Sequence, residues 1–176
     1  IPLGNLVFDA NGVKLGFEIC EDLWSPLPPS SFLCTSGAEI IANLAASNEA
    51  IGKRNYRREL VKMQSSKCIC AYAFCSSGKL ESTSDSVFSG HSIICESGKI
   101  SAENTADIDS GYMIINDVDL SKIRRDRIVN TTFSDCKAFY PAETETVIIG
   151  NRSSKANGDY AMVRKLPFIP STEAER

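Results

Sequence analysis

The chain has one histidine and one tryptophan among its 176 residues. A lone histidine leaves a zinc site dependent on cysteines, and Cys68 and Cys70 stand one residue too close to form a Cys-x-x-Cys ligand pair. No metal site is expected. The cysteines, Cys20, Cys34, Cys68, Cys70, Cys75, Cys95 and Cys136, are odd in number and form no disulfide framework, so reduced thiols in a cytoplasmic protein are the expectation. Also missing is any apolar run of the roughly 18–20 residues that cross a bilayer. The best run, 38–46, has strand length and contains Asn43. The opening Ile-Pro-Leu-Gly carries neither the basic nor the apolar region of a secretory signal. A net charge of −3 supplies no basic face for nucleic acid and no polybasic stretch for a membrane surface. With 43% hydrophobic and 23% charged residues, the composition is that of a globular protein with a single core.

What the chain does contain is strand-like and helix-like segments in alternation, which indicates α/β architecture. Residues 5–8 and 13–19 read as two strands joined through Asn11-Gly12, a pair that supplies the positive backbone angles of a tight hairpin. A Pro-rich loop, Ser25 to Pro29, leads to a short helix near Ser30 that Gly37 would stop. Residues 38–44 are apolar enough for a strand covered on both faces. Residues 54–71 show helical spacing of Tyr56, Leu60 and Met63, with Arg57 and Arg58 expected on a solvent face. Further strands are expected at 70–75, 91–95, 112–118 and 145–150, a hairpin turn at Glu96-Ser-Gly-Lys99 and a charged helix at 120–128.

One segment has a chemical shape. Cys20 falls just past the end of the second strand, and in α/β sheets sites form where loops leave the carboxyl ends of strands. Ser47 falls at the next such end. The plain alternative is that Cys20 is a small core residue like the other six cysteines. Glu21 and Asp22 beside it disfavour a thiolate, so a nucleophilic Cys20 needs a base to take its proton and a cation or amide donors to hold a developing oxyanion. His91 is the sole histidine available as a base, and its place at a strand entry fits a structural role better.

Phe17-Glu-Ile-Cys20-Glu21-Asp22-Leu-Trp24 with Pro28-Pro29-Ser30 resembles the nucleophile segment of the nitrilase, or carbon–nitrogen hydrolase, superfamily. The Cys-Glu-Asp-Leu-Trp form is similar, more narrowly, to the glutaminase domain of glutamine-dependent NAD synthetases. The resemblance continues through Asn43-Leu-Ala-Ala-Ser47-Asn-Glu49, Gly52-Lys53, Tyr56-Arg57-Arg58-Glu59-Leu60, Glu81-Ser-Thr-Ser-Asp85 and Phe88-Ser-Gly-His-Ser92. It is strong over residues 3–128 and returns at Leu166-Pro-Phe-Ile-Pro170, which looks like the linker entering the synthetase domain.

The resemblance implies an α-β-β-α sandwich, present here as a partial domain: residues 1–136 as the C-terminal half of the glutaminase and 137–176 as linker. It implies Cys20 as nucleophile, the N–H after it as an oxyanion donor, Glu21, Ser47 and Lys53 around the amino-acid head of glutamine, and Trp24 as a pocket wall. The family's catalytic glutamate and lysine lie upstream of the nucleophile, and nothing before Cys20 matches them, so these residues alone are expected to release no ammonia. No cofactor is implied for the glutaminase step. ATP and Mg2+ would serve only the synthetase, whose substrate is deamido-NAD, and a homo-oligomer is expected. An amidase acting on another small amide, or a non-catalytic interaction module that uses an uncovered sheet face, remain alternatives.

Overall fold

The computed structural model describes residues 4–104 and 112–150. β1 (Leu6–Ala10) and β2 (Val13–Ile19) form the expected hairpin, turned through Asn11 and Gly12 at φ 57° and 89°. The Gly12 N–H donates to Asp9 Oδ1 at 2.7 Å and closes the turn. A 3-10 turn, Cys20–Trp24, follows β2 directly and leads to α1 (Pro29–Thr35), which Pro29 opens at a position where a missing N–H costs nothing. Then come β3 (Ile40–Ala45), α2 (Lys53–Lys67), β4 (Ala71–Ser76), β5 (Ser92–Glu96), β6 (Lys99–Glu103), α3 (Leu120–Val129), α4 (Thr131–Phe139) and β7 (Glu145–Ile149).

The seven strands make one sheet in the order β6-β5-β4-β3-β2-β1-β7. Its centre is parallel, with Ile19 opposite Leu44 and Leu44 opposite Cys75, so the loops after β2, β3 and β4 leave at one carboxyl edge. Side chains on the two faces of the sheet differ. On one face Val7, Ile41, Tyr72, Phe74, Ile93 and Cys95 are buried against the helices. Gly16 belongs to this face because a Cβ there would lie 2.8 Å from Ile41 Cδ1 and 3.2 Å from Leu33 Cδ1. On the other face Phe17, Ile19 and Leu44 are 45%, 57% and 57% exposed, and Phe8 packs edge-on against Phe17. That open apolar face is the one expected of a half-sandwich.

Four sequence expectations need correction. Residues 112–118 form no strand: Met113 and Ile115 point outward, and the segment is tied to the sheet through side chains, Tyr112 Oη to Ser92 Oγ at 3.2 Å and the Asp119 N–H to Glu96 Oε2 at 3.2 Å. The apolar alternation is there, but the segment pairs with no strand, not even with the free edges of β6 and β7. α2 stops at Lys67 rather than near Ala71, because Ile69 turns left-handed at φ 44° and Ser65 Oγ bonds the Cys70 carbonyl at 2.7 Å, reversing the chain into β4. Arg57 is fully buried rather than solvated. α4 was not expected; Asn130 caps it, its side chain accepting from the Phe133 N–H at 2.9 Å. The segment at 166–170 lies outside the described residues.

Candidate active site

Cys20 is half-buried and its backbone stands at φ 46°, a left-handed conformation that costs a non-glycine residue about 1–3 kcal/mol and persists only where its surroundings enforce it. Two side chains enforce it. The Asp22 carboxylate reaches back to accept the Ile19 N–H at 2.7 Å, just before the cysteine. Asn43, from the neighbouring parallel strand, donates Nδ2 to the Cys20 carbonyl at 3.3 Å. Behind Asn43 the chain of bonds continues into the core: Nδ2 also donates to Tyr72 Oη at 3.0 Å, Tyr72 Oη donates to Glu18 Oε1, and Glu18 Oε2 accepts the Ser30 N–H at 2.8 Å. Burial first, and then the adjacent Glu18 carboxylate, push the Tyr72 phenol far above its ordinary range, so it stays a donor.

The second loop, after β3, carries Ser47 and ends where Lys53 opens α2. The Ser47 N–H donates to Ser76 Oγ at 3.1 Å, and its hydroxyl accepts from Arg57 Nε and Nη2 at 3.3 and 3.2 Å. Arg57 is the hub of a buried network, with Nη1 3.3 Å from Glu49 Oε2 and 2.8 Å from His91 Nδ1, and its guanidinium 5.8 Å from the Phe74 ring centroid. Because arginine only donates, His91 Nδ1 must accept, and the imidazole proton sits on Nε2, which faces Glu103 Oε1 at 2.8 Å. Burial, followed by the Arg54 and Arg57 charges, outweighs Glu103 and lowers the His91 pKa. His91 is thus a fully buried structural residue bonded to Arg57 and Glu103.

The structure places the sequence candidates on the segments that follow β2 and β3 at one edge of the sheet. Cys20, the exposed Glu21 and the half-buried Trp24, which packs on Phe74 with ring centroids 6.3 Å apart, share the 3-10 turn after β2. Ser47 lies on the loop after β3 and Lys53 at the first position of α2, where its ammonium donates back to Asn48 Oδ1 of that loop. Sequence reasoning missed Asp22, Asn43, Tyr72 and Arg57 as parts of the site's frame. Asn43 inside an otherwise apolar strand was the available signal for one of them. Among the described residues no group of three or more His, Cys, Asp or Glu side chains could hold a metal ion, and no helix is long and apolar enough to cross a membrane.

A parallel-centred sheet that presents a cysteine of positive φ at a strand's carboxyl end, with one apolar face left open, has the layout of an α/β protein with a site at its strand ends. The family model "Carbon-nitrogen hydrolase" matches residues 3–128, and the chain belongs to that family. A glutamine-dependent NAD(+) synthetase of Mycobacterium tuberculosis strain H37Rv is 33% identical over 93% of this chain, and one of Thermotoga maritima is 31% identical over 92%. The chain spans only 25% and 28% of the length of those two relatives. The solved carbon–nitrogen hydrolase of Helicobacter pylori G27 shares the fold, with a TM-score of 0.64 over 79% of this chain and 51% of its own, at 16% identity.

Proposed function

We propose that this chain is the nucleophile-bearing half of a glutaminase that feeds ammonia to an NAD synthetase. Cys20 Sγ attacks the side-chain carboxamide carbon of glutamine while a base takes the thiol proton. The proton passes to the departing nitrogen, ammonia leaves, and water later cleaves the thioester to glutamate. The base glutamate and the oxyanion-stabilising lysine come from a preceding segment, whose sheet would cover the open face that Phe17, Ile19 and Leu44 present. Glu21 takes the ammonium of glutamine, Ser47 and Lys53 the carboxylate, and Trp24 walls the pocket. The ammonia then amidates deamido-NAD at a synthetase site outside these residues, with ATP and Mg2+ as its own requirements. A cytoplasmic homo-oligomer completes the reading.

The observation that carries this reading is Cys20 itself, held left-handed at the head of a turn and beside the loop of Ser47, on a chain of the carbon–nitrogen hydrolase family. In the full-length enzyme, Cys20→Ala is expected to abolish glutamine-driven NAD formation and leave formation driven by added ammonia within about twofold. Survival of the glutamine-driven reaction would refute the assignment. The open face also favours a second reading, in which the chain is an interaction module; loss of ammonia release on Cys20→Ala with assembly intact excludes that as its sole role. Equal turnover of glutamine and a simple aliphatic amide would favour the general amidase.

A further inference from the structure

Asn43 is completely buried, and its Oδ1 has no hydrogen-bond partner among the described residues. Its amide cannot be turned over to find one. The Cys20 carbonyl only accepts, and the Tyr72 hydroxyl has committed its proton to Glu18, so both neighbours require the NH2 group of Asn43 to face them. An orphaned buried acceptor lowers stability, and an apolar side chain of similar size would avoid it. The use of Asn43 therefore lies in what its NH2 group holds.

What it holds is one half of a peptide plane. The bond between Cys20 and Glu21 is planar and trans, so its C=O and N–H point in opposite directions. A donor fixed on the Cys20 carbonyl fixes the direction of the Glu21 N–H, pointing it away from Asn43, and polarises it into a stronger donor. The Glu21 N–H lies in the first turn of the 3-10 helix, where backbone N–H groups have no partner within the helix. We infer that Asn43 is a positioning residue for the reaction: by clamping the Cys20 carbonyl from the core side it aims the Glu21 N–H at the oxyanion that forms when Cys20 attacks. Tyr72 and Glu18 set Asn43 in turn, so the aim of the oxyanion donor is anchored in the buried sheet rather than in the exposed loop. This inference rests on the glutaminase reading.

The test uses the full-length enzyme with glutamine as substrate. Asn43→Leu removes the donor at similar volume, and Asn43→Ser, smaller and polar, serves if the leucine variant does not fold. Either is expected to lower kcat on the order of tenfold to a hundredfold, short of losing an oxyanion donor outright, with KM changed by less than about twofold. In the full-length enzyme the same variants shift the amide 15N–1H resonance of Glu21, while those of the edge-strand residues Ile100 and Val147, each three strands from Asn43, stay in place. An unchanged kcat in the folded variant, or a raised KM at unchanged kcat, overturns the inference. Cys20→Ala run alongside separates the two levels: activity without Cys20 sinks the glutaminase reading, whereas activity lost with Cys20 and kept in the Asn43 variants sinks only the clamp.

Discussion

His91, the sole histidine the sequence offered as a base, is structural in space, as its place at a strand entry suggested. It is buried between the α2 cations Arg54 and Arg57 on one side and Glu103 of β6, itself paired with Arg58, on the other. Protonating it would put a second cation 2.8 Å from Arg57 and remove the acceptor that Arg57 uses. The lowered pKa means that the unfolded chain binds this proton more readily than the folded one. Stability therefore falls as pH drops below the ordinary histidine value of 6.5, down to the folded-state pKa. Burial alone would raise the Glu49 pKa, but bonds from Ser89 and the Arg57 charge lower it below 4.5. Its contribution is present above 4.5 and is lost as pH falls through the folded value. Urea midpoints taken from about pH 7.5 down to about pH 5 should decline, and His91→Gln should flatten the decline between about pH 6.5 and about pH 5. A midpoint that rises with acid would contradict this account of the network.

At the level of elements, the hairpin, the short helix after Pro28 and the strand leading to Cys20 were legible because local chemistry dictates them. Asn11-Gly12 can form its turn without help, and Pro29 can only begin a helix, not continue one. The burial of Arg57 was not legible, because its partners Glu49 and His91 stand 8 and 34 positions away and periodicity reads only one helix at a time. The 112–118 segment failed for the related reason that alternation reports an extended chain and says nothing of a partner strand. The strand-end places of Cys20 and Ser47 were readable, and Asn43 stood out as a polar residue in an apolar strand, whereas Asp22 acts through a backbone group that carries no signature. Gly16 tests the packing of the covered face. Gly16→Ala puts a Cβ 2.8 Å from Ile41 Cδ1, against an inner face that is already filled, and should destabilise the chain by about 1–3 kcal/mol in urea unfolding. No loss there would mean that α1 sits less tightly on β2 than described.

Over the whole molecule, the division between a helix-covered face and an open apolar face ties fold to function. The covered face holds the polar chain from Glu18 through Tyr72 and Asn43 to Cys20, so the Cys20 backbone is set from within these residues. On the proposed reading the open face receives the preceding half of the glutaminase, which brings the base and the lysine. Neither half would then catalyse alone, since the thiol lies on one and its proton acceptor on the other.

The most direct measurement is covalent capture. Full-length enzyme incubated with an electrophilic glutamine analogue, such as its γ-chloromethyl ketone, and digested for mass spectrometry should carry the adduct on Cys20 alone. Free glutamine should protect it, and the exposed thiols Cys75 and Cys136 should serve as unlabelled internal controls. An adduct spread over Cys75 and Cys136, or one on Cys20 that glutamine does not suppress, would contradict the account.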